Sequence, residues 1–266
     1  MRKPLNTSVP EELISEIDQL VVKAKGSYRD RSHWVEQAIR AFMSEPGDGE
    51  AASRAVNGVP AAAFEATSLY ETALFPRMRM NRDAKRAIAE KAASLIEPGK
   101  TLFMDGSTTC IELAKILARQ RKHLTILTNS TLICLELGKT AEHKLIGLGG
   151  DFDPVSASYV GSLCEEMAGH YFVDLAIVST KGLIPAEGTY ESNTGTLRIK
   201  QVVARNTRNI MLLVDHSKFH QKSLCKVLDI AQIHTLITDE LAPQEAVNGL
   251  VENGHEVYRV AVRPGK

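Results

Sequence analysis

The sequence contains no long hydrophobic run, few cysteines and no excess of either charge. No apolar stretch is long enough to cross a bilayer, and the first residues lack the apolar core of a signal peptide. These absences predict a cytoplasmic protein without a membrane partner. Zero formal net charge argues against nucleic-acid binding over the whole surface, so any DNA-binding surface must be local. The scattered cysteines have no metal-type spacing and indicate reduced thiols: Cys110, Cys134, Cys164 and Cys225.

Three zones are distinguished by composition, and we take them as domains. Residues 1–45 have a compact strand–helix–helix pattern, and residues 46–75 form a linker rich in Gly, Ala, Pro and Ser. Residues 76–266 alternate short apolar runs with helical patterns. A chain of 266 residues is long enough for one large domain and a small one.

The large zone reads as an α/β domain. Apolar runs predict strands at 101–105, 124–127, 144–148, 174–179, 210–215, 234–238 and 256–262. Helical patterns lie at 81–97, 107–120, 130–139, 160–169, 195–207 and 243–253. Apolar strands separated by helices indicate a mostly parallel sheet with helices on both faces.

The stretch TLFMDGSTTCIELAKIL (residues 101–117) predicts an anion-binding turn. A strand ends near Asp105, Gly106 allows a tight turn, and Ser107 caps the following helix. Unpaired N–H groups there, with the hydroxyls of Ser107, Thr108 and Thr109, suit a phosphate or carboxylate at the positive end of a helix dipole. An ordinary strand–helix turn with a good N-cap remains the alternative from these residues alone.

Small and polar residues also follow four of the other six predicted strands. Because ligands of open α/β sheets bind beyond the carboxyl ends of the strands, five such clusters predict a pocket at that edge. Lys218 is a flexible cation suited to a phosphate, Asp215 suits sugar hydroxyls or holds Lys218, and Asn129 offers both donors and an acceptor. The clusters are Asp105–Thr109, Thr128–Ser130, Gly149–Asp151, Thr180–Gly182 and Asp215–Lys218.

Motifs in this zone resemble the effector domain of DeoR-type bacterial repressors. They are, in the expected order, NRDAKRAIAEKAASLIEPG, FMDGSTTCIELAKIL, TILTNSTLICLEL, GLGGDFD, YVGSLCEEM, VDLAIVSTKGL and LLVDHSKF…ITDE. The resemblance spans about residues 75–260. It implies a fold similar to sugar-phosphate isomerases and CoA transferases, and a role in sensing a phosphorylated sugar.

The resemblance also implies which residues bind that ligand. Gly106, Ser107, Thr108 and Thr109 would form the phosphate cradle. The sugar end would be lined by Asp105, Thr128, Asn129, Gly149, Gly150, Asp215 and Lys218, and the polar clusters add Ser130 and Lys181 as candidate ligand-binding residues.

Two positions depart from the DeoR pattern. Lys181 stands where family members usually carry an Asp before the Gly of the loop after the fourth strand, and Thr196 stands where they carry a Glu. Both changes make the pocket more positive. They favour a more anionic ligand, such as a sugar-acid phosphate.

The first 45 residues resemble a ribbon–helix–helix DNA-binding unit instead of the winged helix usual in DeoR-type repressors. Residues 3–9 predict a strand, and Pro10 and Ser32 suit the starts of two helices. So small a unit must pair with a copy of itself, which predicts at least a homodimer; a homotetramer is implied only by the resemblance. We expect base contacts from Lys3, Asn6 and Ser8, and phosphate contacts from Arg2, Arg31, Ser32 and His33.

Alternatives remain open for the N-terminal unit. RAVNGVP (residues 54–60) resembles the segment that follows a winged helix, so a degenerate winged helix is one possibility. A dimerisation arm that does not bind DNA is another.

Two functions fit the whole sequence. The first is a non-enzymatic transcriptional repressor of a carbohydrate-utilisation operon, which binds operator DNA and a phosphorylated sugar or sugar-acid effector and needs no cofactor or metal. The second is a sugar-phosphate isomerase-like enzyme, for which Asp105, Asp151 and Asp215 are available as general bases. The N-terminal pattern and the acid replaced by Lys181 favour the repressor.

Overall fold

The computed structural model describes residues 74–120 and 122–263. The predicted ribbon–helix–helix unit, its DNA-contacting residues and most of the predicted linker lie outside the described residues. These assignments therefore stay predictions.

The described residues form strands and helices in alternation. The strands are β1 (Thr101–Met104), β2 (Thr125–Thr128), β3 (Lys144–Gly147), β4 (Asp151–Asp153), β5 (Ser158–Val160), β6 (Val173–Val178), β7 (Gly182–Ile184), β8 (Gly188–Glu191), β9 (Thr207–Leu213), β10 (Cys225–Asp229), β11 (Thr235–Asp239) and β12 (Glu256–Val260). The α-helices are α1 (Phe75–Arg79), α2 (Arg82–Leu95), α3 (Thr108–Leu117), α4 (Thr131–Leu137), α5 (Ser162–Gly169), α6 (Thr194–Arg205) and α7 (Gln244–Glu252). Within the described part, no helix is long and apolar enough to cross a membrane.

Seven strands form one parallel sheet in the order β12-β11-β9-β6-β1-β2-β3. They are the seven strands predicted from the apolar runs, with ends shifted by at most three residues, so the predicted α/β fold is confirmed. From β1 the chain first adds strands on one side, and from β6 it adds them on the other. The order therefore reverses between β1 and β6, and such a switch point leaves a crevice at the carboxyl ends of the two strands.

Helices cover both faces of this sheet. Alternate residues of a strand point to opposite faces. Accordingly, Leu102 and Met104 pack in one buried cluster with α2, α3 and α4, whereas Phe103 packs in another with α5, α6 and α7. The two cores explain why the central strands have apolar side chains at successive positions.

Two small antiparallel sheets were not predicted. Strands β4 and β5 form a hairpin, and β7, β8 and β10 form a three-stranded sheet. Their strands are three to five residues long and each contains at least one Gly, Asp, Ser or Lys, so they lack a continuous apolar run. Gly188 has a φ of +136°, and a Cβ there would lie 2.0 Å from the Leu228 carbonyl oxygen, so the β8–β10 pairing requires a glycine.

Candidate functional site

Asp105 lies at the switch point, directly after β1. Its carboxylate accepts hydrogen bonds from the backbone N–H of Ser107 at 3.1 Å and of Ser179, after β6, at 3.0 Å. Burial favours a higher pKa for Asp105, but the nearby Lys200 ammonium and these hydrogen bonds outweigh it and lower the pKa. Asp105 is therefore an ionised anchor between the two strand ends.

Lys200 of α6 completes a buried ionic cluster with Asp105. Only 7% of Lys200 is exposed, and its Nζ lies 3.0 Å from Asp105 Oδ2 and 2.5 Å from Glu191 Oε1. The same Nζ donates to the Ser179 carbonyl oxygen at 2.6 Å. Burial lowers the pKa of Lys200, but the carboxylates of Glu191 and Asp105 outweigh it and shift the pKa upward. The cluster ties α6 and β8 to the switch point.

The predicted phosphate turn starts α3, and its N-cap is confirmed. Ser107 Oγ accepts from the Cys110 N–H at 3.2 Å. The first-turn N–H groups of Thr108 and Thr109 have no partner within the helix, as at any helix start. The turn is closed on the side that faces β5, since a Cβ on Gly106 would lie 2.2 Å from Ser158 Oγ. The hairpin of β4 and β5 therefore packs directly against this turn.

Asn129, after β2, offers a buried acceptor to a ligand. Its Nδ2 donates to the Tyr159 carbonyl oxygen at 2.8 Å, which fixes the orientation of the amide. Its Oδ1 is buried and accepts no hydrogen bond from the described residues, although only 3% of Asn129 is exposed. A buried acceptor without a donor is costly, and a bound hydroxyl would satisfy it.

The flanking residues of β2 have local structural contacts. Thr128 Oγ1 donates to the Met104 carbonyl oxygen at 2.7 Å and accepts from the Ser130 N–H at 3.1 Å. Ser130 Oγ in turn caps α4 by accepting from the Ile133 N–H at 3.4 Å. These contacts position Asn129 between them.

Asp215 and Lys218 lie in a 3₁₀ turn (His216–Lys218) after β9. Asp215 Oδ1 accepts from the Ser217 N–H at 3.0 Å and from Asn81 Nδ2 at 3.0 Å. Burial favours a higher pKa for Asp215, but the bonds from Ser217 and Asn81 and the charge of Lys218 lower it. Asp215 is thus an ionised acceptor like Asp105.

Asp239, at the end of β11, holds the same turn from the other side. Its fully buried carboxylate accepts from the His216 N–H at 2.6 Å and contacts His216 Nδ1 at 2.7 Å. His216 therefore helps to orient the turn.

Three further predicted ligand residues make their contacts with other parts of the protein than Asp105, Asn129 and Asp215. Gly150 has a φ of +141° and packs against β5 and α5, where a Cβ would lie 2.6 Å from the Val160 carbonyl oxygen. A Cβ on Gly149 would lie 3.8 Å from Met167 Sδ, which is an ordinary van der Waals distance. Lys181 is exposed and donates to Ser192 Oγ at 3.3 Å.

Sequence reasoning missed several residues of this edge. Lys200 and Glu191 lie within segments that have the pattern of an ordinary helix and an ordinary loop. Asn81 occupies the N-cap position before α2 and Lys85 lies in its first turn, far in sequence from the end of β9. Only the NRDAKR stretch drew attention to the last two, as part of the DeoR resemblance. The role of Asn81 depends on a contact with Asp215 across 134 positions of the chain, which no local pattern shows. Lys85 donates to backbone carbonyl oxygens of Arg77 and Met80, which carry no sequence signal.

A separate cleft of about 580 Å³ opens at the N-termini of α5 and α6. None of the predicted ligand residues lines it, although Val160 in its wall directly follows Tyr159, the partner of Asn129. Among the described residues, no group of three or more His, Cys, Asp or Glu side chains could hold a metal ion. We therefore place the candidate site at the sheet edge, on the chemistry of Asp105, Asn129 and Asp215.

Comparison with known proteins identifies the family. A model of the DeoR C-terminal sensor domain matches residues 80–240. The putative aga operon transcriptional repressor of Escherichia coli O157:H7 is 28% identical over 196 residues, covering 73% of this chain and 72% of that protein. The glycerol-3-phosphate regulon repressor of Escherichia coli K12 is 26% identical over 217 residues, covering 82% and 84%.

Solved structures include a partial likeness. Ribose 5-phosphate isomerase A from Neisseria gonorrhoeae shares 18% identity with this chain, with a TM-score of 0.36 over 51% of this chain and 52% of that one. The family model, by contrast, covers more than half of the chain, from α2 to the end of β11. The chain therefore belongs to the family of proteins with a DeoR C-terminal sensor domain.

Proposed function

We propose that this protein is a transcriptional repressor of a carbohydrate-utilisation operon, controlled by a phosphorylated sugar or sugar acid. The family and the two repressors named above support the regulatory role. The effector would bind at the carboxyl ends of β1, β2 and β9. The N-terminal residues would bind operator DNA as part of a homodimer or larger homo-oligomer.

The unsatisfied Asn129 Oδ1 is the observation that carries the ligand assignment. It is a fixed acceptor one strand away from the free N–H groups of Thr108 and Thr109, because β1 and β2 are neighbours in the sheet. In this proposal the phosphate meets those N–H groups and Lys218, and a sugar hydroxyl donates to Asn129 Oδ1.

The electrostatics of the edge argue against the isomerase-like enzyme. A general base for proton abstraction works best with a pKa near the operating pH. The pKa values of Asp105 and Asp215 are both lowered, and both carboxylates are held by internal hydrogen bonds. The third candidate base, Asp151, is exposed on the β4–β5 hairpin. Binding without turnover fits this arrangement better.

Thermal unfolding with candidate effectors tests the ligand site. Suitable probes are glycerol 3-phosphate, 6-phosphogluconate and inorganic phosphate, at constant ionic strength. A true effector at 100 times its Kd should stabilise the protein by about 2.7 kcal/mol. Lys218→Ala should reduce the affinity at least roughly tenfold, as expected for the loss of a charge-assisted contact.

Lys139→Ala is the matched control, since Lys139 is exposed just after α4 and forms a surface ion pair with Glu136. It should leave the affinity unchanged. Equal binding by both variants would contradict the site, and conversion of a probe into a product would favour the enzyme.

A further inference from the structure

We infer that Asn81 and Lys85 form a latch that reports occupancy of the effector site to the chain segment leading towards the N-terminus. This inference rests on the proposed function, because it assigns the regulation of that same site. The latch is defined by three parts: helix α1, the side chains of Asn81 and Lys85, and the turn that contains Asp215 and Lys218.

Asn81 connects the start of α2 to the effector site. It occupies the N-cap position, where an Asn side chain ordinarily accepts a hydrogen bond from the helix N–H groups. Here the side chain makes no such cap, and its Nδ2 donates to Asp215 Oδ1 at 3.0 Å. The backbone of Asn81 is in the left-handed region with a φ of +50°, which Asn tolerates better than most residues. The helix cap is thus given up for a contact 134 residues away in the chain.

Lys85 connects the same turn of α2 to α1. Only 4% of Lys85 is exposed, and its Nζ donates to the carbonyl oxygens of Arg77 and of Met80, the latter at 2.6 Å. These carbonyls lie at the C-terminal end of α1, where a cation is favourable. Lys85 therefore holds α1 in place most strongly while its ammonium group is charged, because charged donors make the stronger hydrogen bonds.

The charge of Lys85 depends on the effector site. The groups that act on it are Asp215 and Lys218 from the turn after β9, Arg77 from α1 and Glu112 from α3. Burial and the cations lower its pKa to about 8, against the effect of the two carboxylates. An anion bound at Lys218 would offset the repulsion between Lys218 and Lys85 and favour the charged lysine. Effector binding should therefore tighten the hold on α1.

Hydrogen–deuterium exchange of the peptide covering residues 74–82 tests the latch in the full-length chain. The amides of Met78 and Met80 report on α1, since they donate to the carbonyl oxygens of Leu74 and Pro76. Asn81→Ala should exchange at least roughly tenfold faster there than the wild type, the factor for losing one hydrogen bond to a charged group. Asn209→Ala, at an exposed position near the opposite end of β9, should exchange at the wild-type rate.

The second arm adds 6-phosphogluconate or inorganic phosphate, with sodium chloride at the same ionic strength as the blank. The wild-type peptide should exchange more slowly with the probe that stabilises the protein. Asn81→Ala should bind the same probe within about threefold of the wild-type affinity, since Asn81 donates to Asp215 and not to the groups proposed to hold the phosphate. Its exchange should nevertheless respond much less.

Three results would overturn the latch. These are wild-type exchange rates in Asn81→Ala, unchanged or faster exchange in the wild type on binding, and an equal response in both proteins. If neither probe stabilises the wild type, the proposed function is contradicted instead. The exchange rates of the wild type and of Asn81→Ala without ligand then show whether the Asn81–Asp215 hydrogen bond holds α1. Lys85→Met is a second variant for the same exchange measurement, because it removes the donor to the α1 carbonyl oxygens and leaves Asp215 in place. Its peptide 74–82 should also exchange faster than that of the wild type.

Discussion

Lys200 shows how one buried side chain organises the site. It neutralises two carboxylates, Asp105 and Glu191, that would otherwise repel each other within the protein. Removing one partner from a buried ionic cluster leaves an uncompensated charge, which is strongly destabilising. Asp105 then loses the main interaction that keeps its pKa low.

Lys200→Met should therefore lower the free energy of unfolding by about 3–5 kcal/mol. Urea denaturation at neutral pH measures this. Lys226→Met is the control, because Lys226 pairs with Asp229 on the surface, and it should change stability by no more than about 0.5 kcal/mol. A similarly small change in the free energy of unfolding in both variants would contradict the stabilising role of the ionic cluster of Lys200, Asp105 and Glu191.

Lys85 should give the protein a distinctive dependence on pH. Its pKa is lowered from 10.5 to about 8, chiefly by burial, so the folded protein binds this proton less tightly than the unfolded chain. The free energy of unfolding should then rise as the pH increases from 8 towards 10.5, by up to about 3 kcal/mol.

Urea unfolding at pH 7.5, 8.5 and 9.5 checks the sign. The rise attributable to Lys85 should be missing in Lys85→Met and present in Lys139→Met, whose lysine is exposed. The prediction fails if both variants follow the wild-type curve.

At the scale of elements, the β4–β5 hairpin packs against the predicted phosphate-binding turn at Gly106. A Cβ on Gly106 would lie 2.2 Å from Ser158 Oγ but 3.4 Å from Ser158 Cβ, so only the hydroxyl stands in the way. The hairpin and the turn therefore fit together because one residue has no side chain and the other has a short one.

Gly106→Ala should destabilise the protein by roughly 1–3 kcal/mol through overpacking. Ser158→Ala removes the clashing oxygen, so the double variant should lose less stability than the sum of the single ones. Thermal unfolding of the four proteins in this cycle measures the coupling. Strict additivity would show that the two elements do not meet as described.

The elements also show which parts of the fold can be predicted from the sequence. All seven strands of the parallel sheet were predicted, because strands buried on both faces need apolar residues at nearly every position. Strands β7, β8 and β10 were missed, since their pairing depends on Gly182, Gly188 and long-range contacts rather than on an apolar run. The N-cap role of Ser107 was predicted because capping is local. The positions of Lys200, Asn81 and Asp239 were not, because each acts on a residue from a different element.

At the scale of the whole molecule, effector binding and DNA binding should be separable. Asn6→Ala with Ser8→Ala, in the predicted ribbon, should weaken retention of promoter DNA by roughly 2–6 kcal/mol in total if both residues read bases. Thermal stabilisation by the effector should be unchanged, because the proposed effector site lies within residues 105–218.

Band shifts with DNA next to the protein's own gene, at two salt concentrations, measure the loss. Arg2→Ala should reduce the salt dependence of binding, as expected for a phosphate contact. Unchanged retention by the double variant would favour a winged helix or a non-DNA-binding arm at the N-terminus.

The reversal of strand order at β1 has a consequence for how the chain acquires its structure. Strand β1, the first of the described strands to be made on the ribosome, lies inside the sheet, with β2 and β3 added on one side before β6 exists. Strand β6 must then return across some 70 residues to pair with β1, at Leu102 and Leu175. Closing so long a loop is slow, and until it happens one flank of β1 stays open to aggregation. Nascent chains halted before residue 173 should therefore depend on chaperones far more than finished ones.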